Sequence, residues 1–187
     1  MPQLTSPYYG PSALREFDNM SDISRVFELL EEVVPDARQG LGEELFHAVS
    51  RLTPMVNVEL LIRDEDGRTL LTWRDDELYG PGWHFPGGVL RFKETFAERI
   101  SAVARLELGS SVSHAEHPDQ VRASMNETRD IRGHFVSLLF NCQLTSALDD
   151  NRKATKTDPI NGQWAWHAQK PANLLPVRDR QFGYLFE

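Results

Sequence analysis

The chain has a single cysteine, Cys142, in 187 residues, so no internal disulfide is possible and a reducing compartment is the simplest expectation. No apolar run approaches the roughly 18 residues of a membrane span, and no basic-then-apolar leader opens the sequence; a cytoplasmic protein without a membrane partner is expected. Positive charge is also in deficit. Lys and Arg number 20 against 28 Asp and Glu, a net charge of −8, which argues against a general attraction to nucleic acid. An acidic chain that binds a diphosphate must therefore bring local cations, either Arg side chains or a divalent metal. Internal repeats are missing too. What is present is 40% apolar residues with 10% aromatics, enough for a core in one compact domain with an appendage.

Residues 1–20 are rich in Pro, Gly, Ser and Tyr and read as an irregular arm. Ser21 and Asp22 then precede Ile23, Val26, Phe27, Leu30 and Val33 at helical spacing, and Pro35 ends that helix. A second helix is predicted from Gly42 to Leu52, before Thr53-Pro54. From Met55 the period changes to that of a strand, through Ile62. Asp64-Glu65-Asp66-Gly67 signals a turn, and Thr69 to Trp73 is expected to return as the hairpin partner. Trp83 to Phe85 reads as a short strand and Thr95 to Leu108 as a helix. Ser124 to Asn126, Phe135 to Leu144 and Gln163 to His167 read as further strands. The polar stretch 149–162 reads as mobile, and the tail as a short helical turn. The expected division is an arm and helix over 1–40 and one domain over 41–187. The fold class is α/β (α+β): a mixed-sheet α/β/α sandwich with an N-terminal helical extension.

The most specific pattern starts at Trp83-His84-Phe85-Pro86-Gly87-Gly88, a strand closing on what reads as a glycine turn. Five residues after Gly88 comes Glu94, and the following helix ends in Glu107-Leu108-Gly109. At about 100° per residue, Glu107 falls roughly 20° from Phe96, at the end of the apolar stripe formed with Ile100 and Val103. A carboxylate there is costly unless it is paired or metal-bound. Metal ligation by Glu107, with backbone carbonyls of Gly87-Gly88, is therefore expected.

This frame resembles a Nudix box from which most carboxylates are gone. Ala102-Val103 stand where a full box has Arg-Glu, and Leu106-Glu107 where it has paired glutamates. Within the Nudix superfamily it looks like the GDP-mannose mannosyl hydrolase branch, also through Thr53 to Glu59, Gly67 to Arg74 and His134 to Phe140. The resemblance spans about residues 40–170. It implies a single Mg²⁺ (or Mn²⁺) held by the Gly87 carbonyl, Glu107 and a loop glutamine. It also implies Arg74 on the diphosphate, Glu59 in nucleotide recognition, and a homodimer. The implied reaction is water attack on the anomeric carbon of a nucleoside diphosphate-sugar, for which one metal on the leaving diphosphate suffices.

Several positions depart from the branch. Val89 stands where it has Arg after the glycine pair, and Ala102 replaces a helix Arg; Arg91, nearby, is taken as a substrate-binding candidate. The Gln-His pair that supplies the third ligand and the base falls, without gaps, on Ile160-Asn161; a shortened loop would instead bring Gln163 to the ligand place. His134 is the candidate base. Trp164 and Tyr79 are candidates to stack on a base or sugar, although alternating Trp164 and Trp166 are equally a core device. Glu94, lacking its box arginine, is expected to cap the helix or stay solvated, and His84 to hydrogen-bond locally. Three readings stay open: a metal-dependent nucleoside diphosphate-sugar hydrolase, a pyrophosphatase attacking phosphorus, and a non-catalytic binder.

Overall fold

The computed structural model describes residues 20–155 and 158–186, so the expected arm lies almost wholly outside the described residues. The chain divides after residue 37 into two units, the first described from Met20 and the second to residue 186. In the first, helix α1 (Met20–Val33) carries Ile23, Val26, Phe27, Leu30 and Val33 at helical spacing. It begins before Ser21 and Asp22, which therefore lie in its first turn and do not precede it as caps.

The second unit opens with a short helix α2 (Glu43–Val49). Strand β1 (Met55–Ile62) follows, buried at all but one position. The turn at Asp64 to Gly67 forms as expected, with the Asp64 side chain accepting from the Arg68 N–H at 2.8 Å. Its two strands nevertheless part after one bridge, Arg63 to Thr69. Strand β2 (Thr69–Arg74) is not the hairpin partner of β1. It pairs antiparallel with β3 (Gly82–His84) and with β8 (Trp164–His167) in a second sheet. Both β1 and β2 are buried on two faces, so each needs its own sheet neighbours; alternation and a turn signal do not identify them.

The partner of β1 is β7 (His134–Leu144), parallel and in register from Met55–Phe135 to Ile62–Cys142. Its other edge takes β4 (Gly87–Val89), antiparallel. The glycine pair read as a turn is thus extended strand. Glycine is needed there for close approach: a Cβ on Gly87 would lie 2.4 Å from Glu59 Oε2 and 2.8 Å from the Val58 carbonyl. The 11 residues of β7 carry two further strands along one edge, β6 (Gln120–Met125) and β5 (Val112–His114).

Helix α3 (Phe96–Val103) starts at a capping box, Thr95 with Glu98. It runs into a π turn over Ala104–Leu108, which Gly109 ends at φ 60°. Side chains alternate along β1. Val58, Leu60 and Ile62 pack with Ile100, Val103 and Leu108, whereas Leu61 packs with Leu71, Trp73, Trp83, Phe85 and Phe182. Phe182 belongs to the C-terminal helix α4 (Pro176–Phe182), longer than the helical turn expected. The stretch 149–162 holds a 3-10 turn at Asp150–Arg152 and a bridge from Lys153 to Trp164. Among the described residues, no helix is long and apolar enough to cross a membrane.

Candidate active site

The box region builds one wall of a cleft of about 390 Å³. Strand β4 brings Gly87, Gly88 and Val89 to it, and the π turn brings Glu107. Glu107 accepts from Thr72 Oγ1 at 2.9 Å and from the Gly87 N–H at 3.2 Å. Burial pushes its carboxyl up to about 7 against the pull of those two donors. The helical-wheel expectation that Glu107 faces inward at the glycine pair therefore describes its observed position.

His84 lies behind Thr72. Its Nδ1–H donates to the Phe85 carbonyl at 2.7 Å, which leaves Nε2 facing Thr72 Oγ1 at 3.2 Å. The one hydroxyl proton of Thr72 serves either Glu107 or His84. When Glu107 is protonated it donates to Thr72, and Thr72 to His84, so the chain of bonds is complete. Burial and the guanidiniums of Arg178 and Arg74 hold His84 down to about 3, hence neutral.

Glu59 lies beneath the cleft, 0% exposed. It pairs with Arg178 of α4 and accepts from Asn57. Arg178 also donates to Gln181 at 2.8 Å and to Ser137 Oγ at 3.3 Å. Burial pushes Glu59 up to about 8, against the pull of Arg178 and with the help of the Glu107 charge. Its Oε2 has no partner and abuts Gly87.

Two buried carboxylates thus flank one glycine, Glu59 paired with Arg178 and Glu107 held only by Thr72 and the Gly87 N–H. Glu107 with the Gly87 carbonyl fits a single divalent cation. Among the described residues no group of three His, Cys, Asp or Glu side chains is poised to hold one, so further ligands would be backbone carbonyls and water, as Mg²⁺ accepts readily.

In the folded chain Glu59 and Glu107 retain protons that the unfolded chain gives up near 4.5. The folded state therefore binds more protons between 4.5 and about 8, and stability falls as pH rises through that window. His84 works in the opposite sense on the acid side, its contribution lost as pH falls from 6.5 towards 3. Above pH 6.5 His84 adds nothing further to this slope. A thermal melt in chelator is expected to fall by several degrees, on the order of 2 kcal/mol, between pH 6.5 and 8.5. Mg²⁺ should restore more of it at pH 8.5 than at pH 6.5; a flat melt in chelator would count against the buried pair.

The opposite wall carries cations. Arg74, at the end of β2, pairs with Asp76 and lies 4.9 Å from the Tyr79 ring centroid. Although burial disfavours its charge, the Tyr79 N–H and Arg74 hold Asp76 below the usual carboxylate range. Arg132 and Arg178 also line the cleft, and the sequence reading had singled out neither. Tyr79, expected to stack on a ligand, instead gathers guanidiniums from Arg74, Arg129 and Arg132.

Of the expected site residues, Gly87, Glu107 and Arg74 come together here, with Glu59 directly below. Four others fall outside the lining. Trp164 is 3% exposed in the core, its Nε1 donating to the Asp149 carbonyl. Gln163 turns its amide oxygen to the Ile160 N–H at 3.0 Å, and Asn161 and Gly162 line the cleft in its stead. Arg91 is exposed, its side chain donating to the Arg38 carbonyl at 3.5 Å. His134 is half-buried, opposite Met125 at the strand end, while its neighbour Phe135 lines the cleft. Glu94 is neither a cap nor solvated: Arg99, 6% exposed, donates to it at 2.8 Å and so supplies the arginine partner that the box position lacks.

No protein-family profile matches the chain. The low-salt glycan biosynthesis protein Agl8 of Haloferax volcanii is 31% identical over 115 residues, 59% of this chain and 70% of the relative. The MutT protein of Methanosarcina mazei Go1 superposes with a TM-score of 0.53 at 17% identity, over 71% of this chain and 94% of its own. A possible asymmetric diadenosine tetraphosphate hydrolase from Jonesia denitrificans DSM 20603 does so with 0.53 at 19% identity, over 70% and 91%. These two likenesses concern the fold. Relative and fold together lead to one conclusion: the chain belongs to one family with the Haloferax protein, on a fold that it shares with the MutT protein and the Jonesia hydrolase.

Proposed function

We propose that the chain is a metal-dependent hydrolase of a nucleoside diphosphate-sugar, releasing free sugar by water attack at the anomeric carbon. The observation that carries this reading is that Glu107 is the one box carboxylate lining the cleft, set against Gly87 across from Arg74. Glu107 and the Gly87 carbonyl would hold one Mg²⁺ or Mn²⁺, whose chemistry is to neutralise the departing diphosphate. Attack on phosphorus by several metals would need more carboxylates than this wall supplies. Arg74 takes the diphosphate in a charge-assisted contact. Glu59 acts from below by keeping Arg178 in place; as it lies, it offers no edge to a nucleotide. A homodimer belongs to the same reading and is open to light scattering of the full chain.

A second reading, a non-catalytic binder, is favoured by Asn161. It occupies the cleft where the resembling branch has its base, and its side chain accepts from the Asp75 N–H at 3.1 Å. An amide does not activate water at neutral pH.

Products formed from GDP-mannose and other nucleotide sugars with Mg²⁺, resolved by ³¹P NMR and mass spectrometry, separate the readings. Intact nucleoside diphosphate with free sugar is the expected result. Nucleoside monophosphate with sugar phosphate would mean attack at phosphorus instead. Ligand binding unchanged in chelator, without turnover, would support the binder.

A further inference from the structure

Arg132 comes from the loop between β6 and β7, far in sequence from the box, yet it lines the same cleft as Arg74 and Tyr79. Its guanidinium carbon is 5.1 Å from the Tyr79 ring centroid and 5.4 Å from that of Phe46. The backbone is held in the left-handed region at φ 53°, uncommon for a residue with a side chain. Two hydrogen bonds keep it there. The Arg132 N–H donates to Ser50 Oγ at 3.0 Å, and the Tyr79 hydroxyl donates to the Arg132 carbonyl at 2.9 Å. Local strain that neighbouring groups actively maintain is characteristic of a site held ready for a ligand.

The guanidinium itself is under-used. Arg74 has Asp76, Arg178 has Glu59 and Arg129 donates to the Leu78 carbonyl at 2.7 Å. Among the described residues Arg132 has no carboxylate within ion-pair distance, and its Nε is buried without a partner. Burial and the nearby charge of Arg74 lower its hold on the proton. One tyrosine ring thus positions two cations at the cleft, and one of them lacks an anion. Inorganic sources of negative charge and nucleotides share the chemistry that would satisfy both: two linked phosphoryl groups, each offering oxygens to a planar fork of donors.

We propose that Arg132 is a substrate-binding residue which, with Arg74, clamps the diphosphate of the ligand while Tyr79 sets the spacing of the two guanidiniums. This rests on the proposed function in requiring a diphosphate, though not on hydrolysis.

Titration calorimetry of the full chain in chelator, with inorganic pyrophosphate and with GDP as probes, tests it. Arg132→Met is expected to weaken both at least ten-fold and to flatten the salt dependence of binding. Arg132→Lys, which keeps the charge and loses the fork, is expected to fall between. Arg129→Met removes a guanidinium from the same ring outside the cleft lining and is expected to bind like the parent. Arg132→Met within two-fold of the parent would overturn the assignment and leave the proposed function standing. Failure of the parent to bind either probe in chelator would overturn the clamp; failure in Mg²⁺ as well would overturn the proposed function with it. Should the methionine variant not fold, the Arg132 Nε–H resonance of the parent, identified by its loss in Arg132→Lys, carries the test. A shift on adding pyrophosphate supports the clamp, and an unmoved signal at saturation overturns it.

Discussion

Glu107→Gln is expected to abolish metal-dependent turnover by two to three orders of magnitude, roughly 3–4 kcal/mol of transition-state stabilisation, without destabilising the fold. The amide oxygen can still accept from the Gly87 N–H, as Oε1 does at 3.2 Å, and the amide nitrogen can donate to Thr72 Oγ1, which now donates to Oε2 at 2.9 Å. It also removes a buried group that must otherwise shed a proton near 7. Melting of the variant in chelator should therefore match or exceed the parent at pH 8.5, and Mg²⁺ should no longer raise it. Activity lost together with several degrees of stability would instead mark Glu107 as a structural residue. Full activity in the variant would sink the single-carboxylate reading altogether.

The second large effect concerns stability. Arg178→Met leaves the fully buried Glu59 without its cation and strands the Ser137 and Gln181 contacts. Breaking a buried pair by removing one partner costs about 3–5 kcal/mol, which is roughly 10 °C in Tm for a chain of this size. The cost should depend on pH in a definite sense. Burial already raises Glu59 to about 8, and losing Arg178 raises it further. At pH 6 the carboxyl is neutral in parent and variant, and the cost is that of the lost contacts; at pH 8.5 the parent's carboxyl ionises beside Arg178 while the variant's keeps its proton, and the cost grows by about 1 kcal/mol. The double variant Glu59→Gln with Arg178→Met should remove that pH-dependent part at pH 8.5. An equal fall in Tm at pH 6 and 8.5, or no recovery in the double variant, would show that Arg178 matters through packing alone.

Legibility in the sequence followed the range of the interactions. The helix from Thr95 was readable because its signals are local: Thr95 and Glu98 close a capping box, and Ile100 and Val103 repeat at helical spacing. The inward aim of Glu107 followed from the same spacing, and even the π turn at Ala104–Leu108 does not turn it away. The partner of β1 was not readable. Alternation says that a strand is buried, not which strand covers it, and β7 lies some eighty residues further on. Glycines read as a turn proved to be strand because what excludes a Cβ there is Glu59 Oε2, a contact between paired strands. Trp164 and Gln163 show the limit of position alone: a residue can stand beside the cleft in sequence and face the core or its own loop.

By itself, then, the sequence determined the spacing of the box, the elements with strong local period, the inward-facing helix carboxylate Glu107 and the Nudix resemblance, all properties of neighbours along the chain. The tertiary structure alone decided which cations serve the cleft. Arg99 reaches Glu94, Arg178 reaches Glu59 and Arg132 joins Arg74 at Tyr79. A guanidinium on a long side chain carries no local signature of its target. Its role is set by desolvation and by the anion it meets, and both exist only once distant segments have packed together.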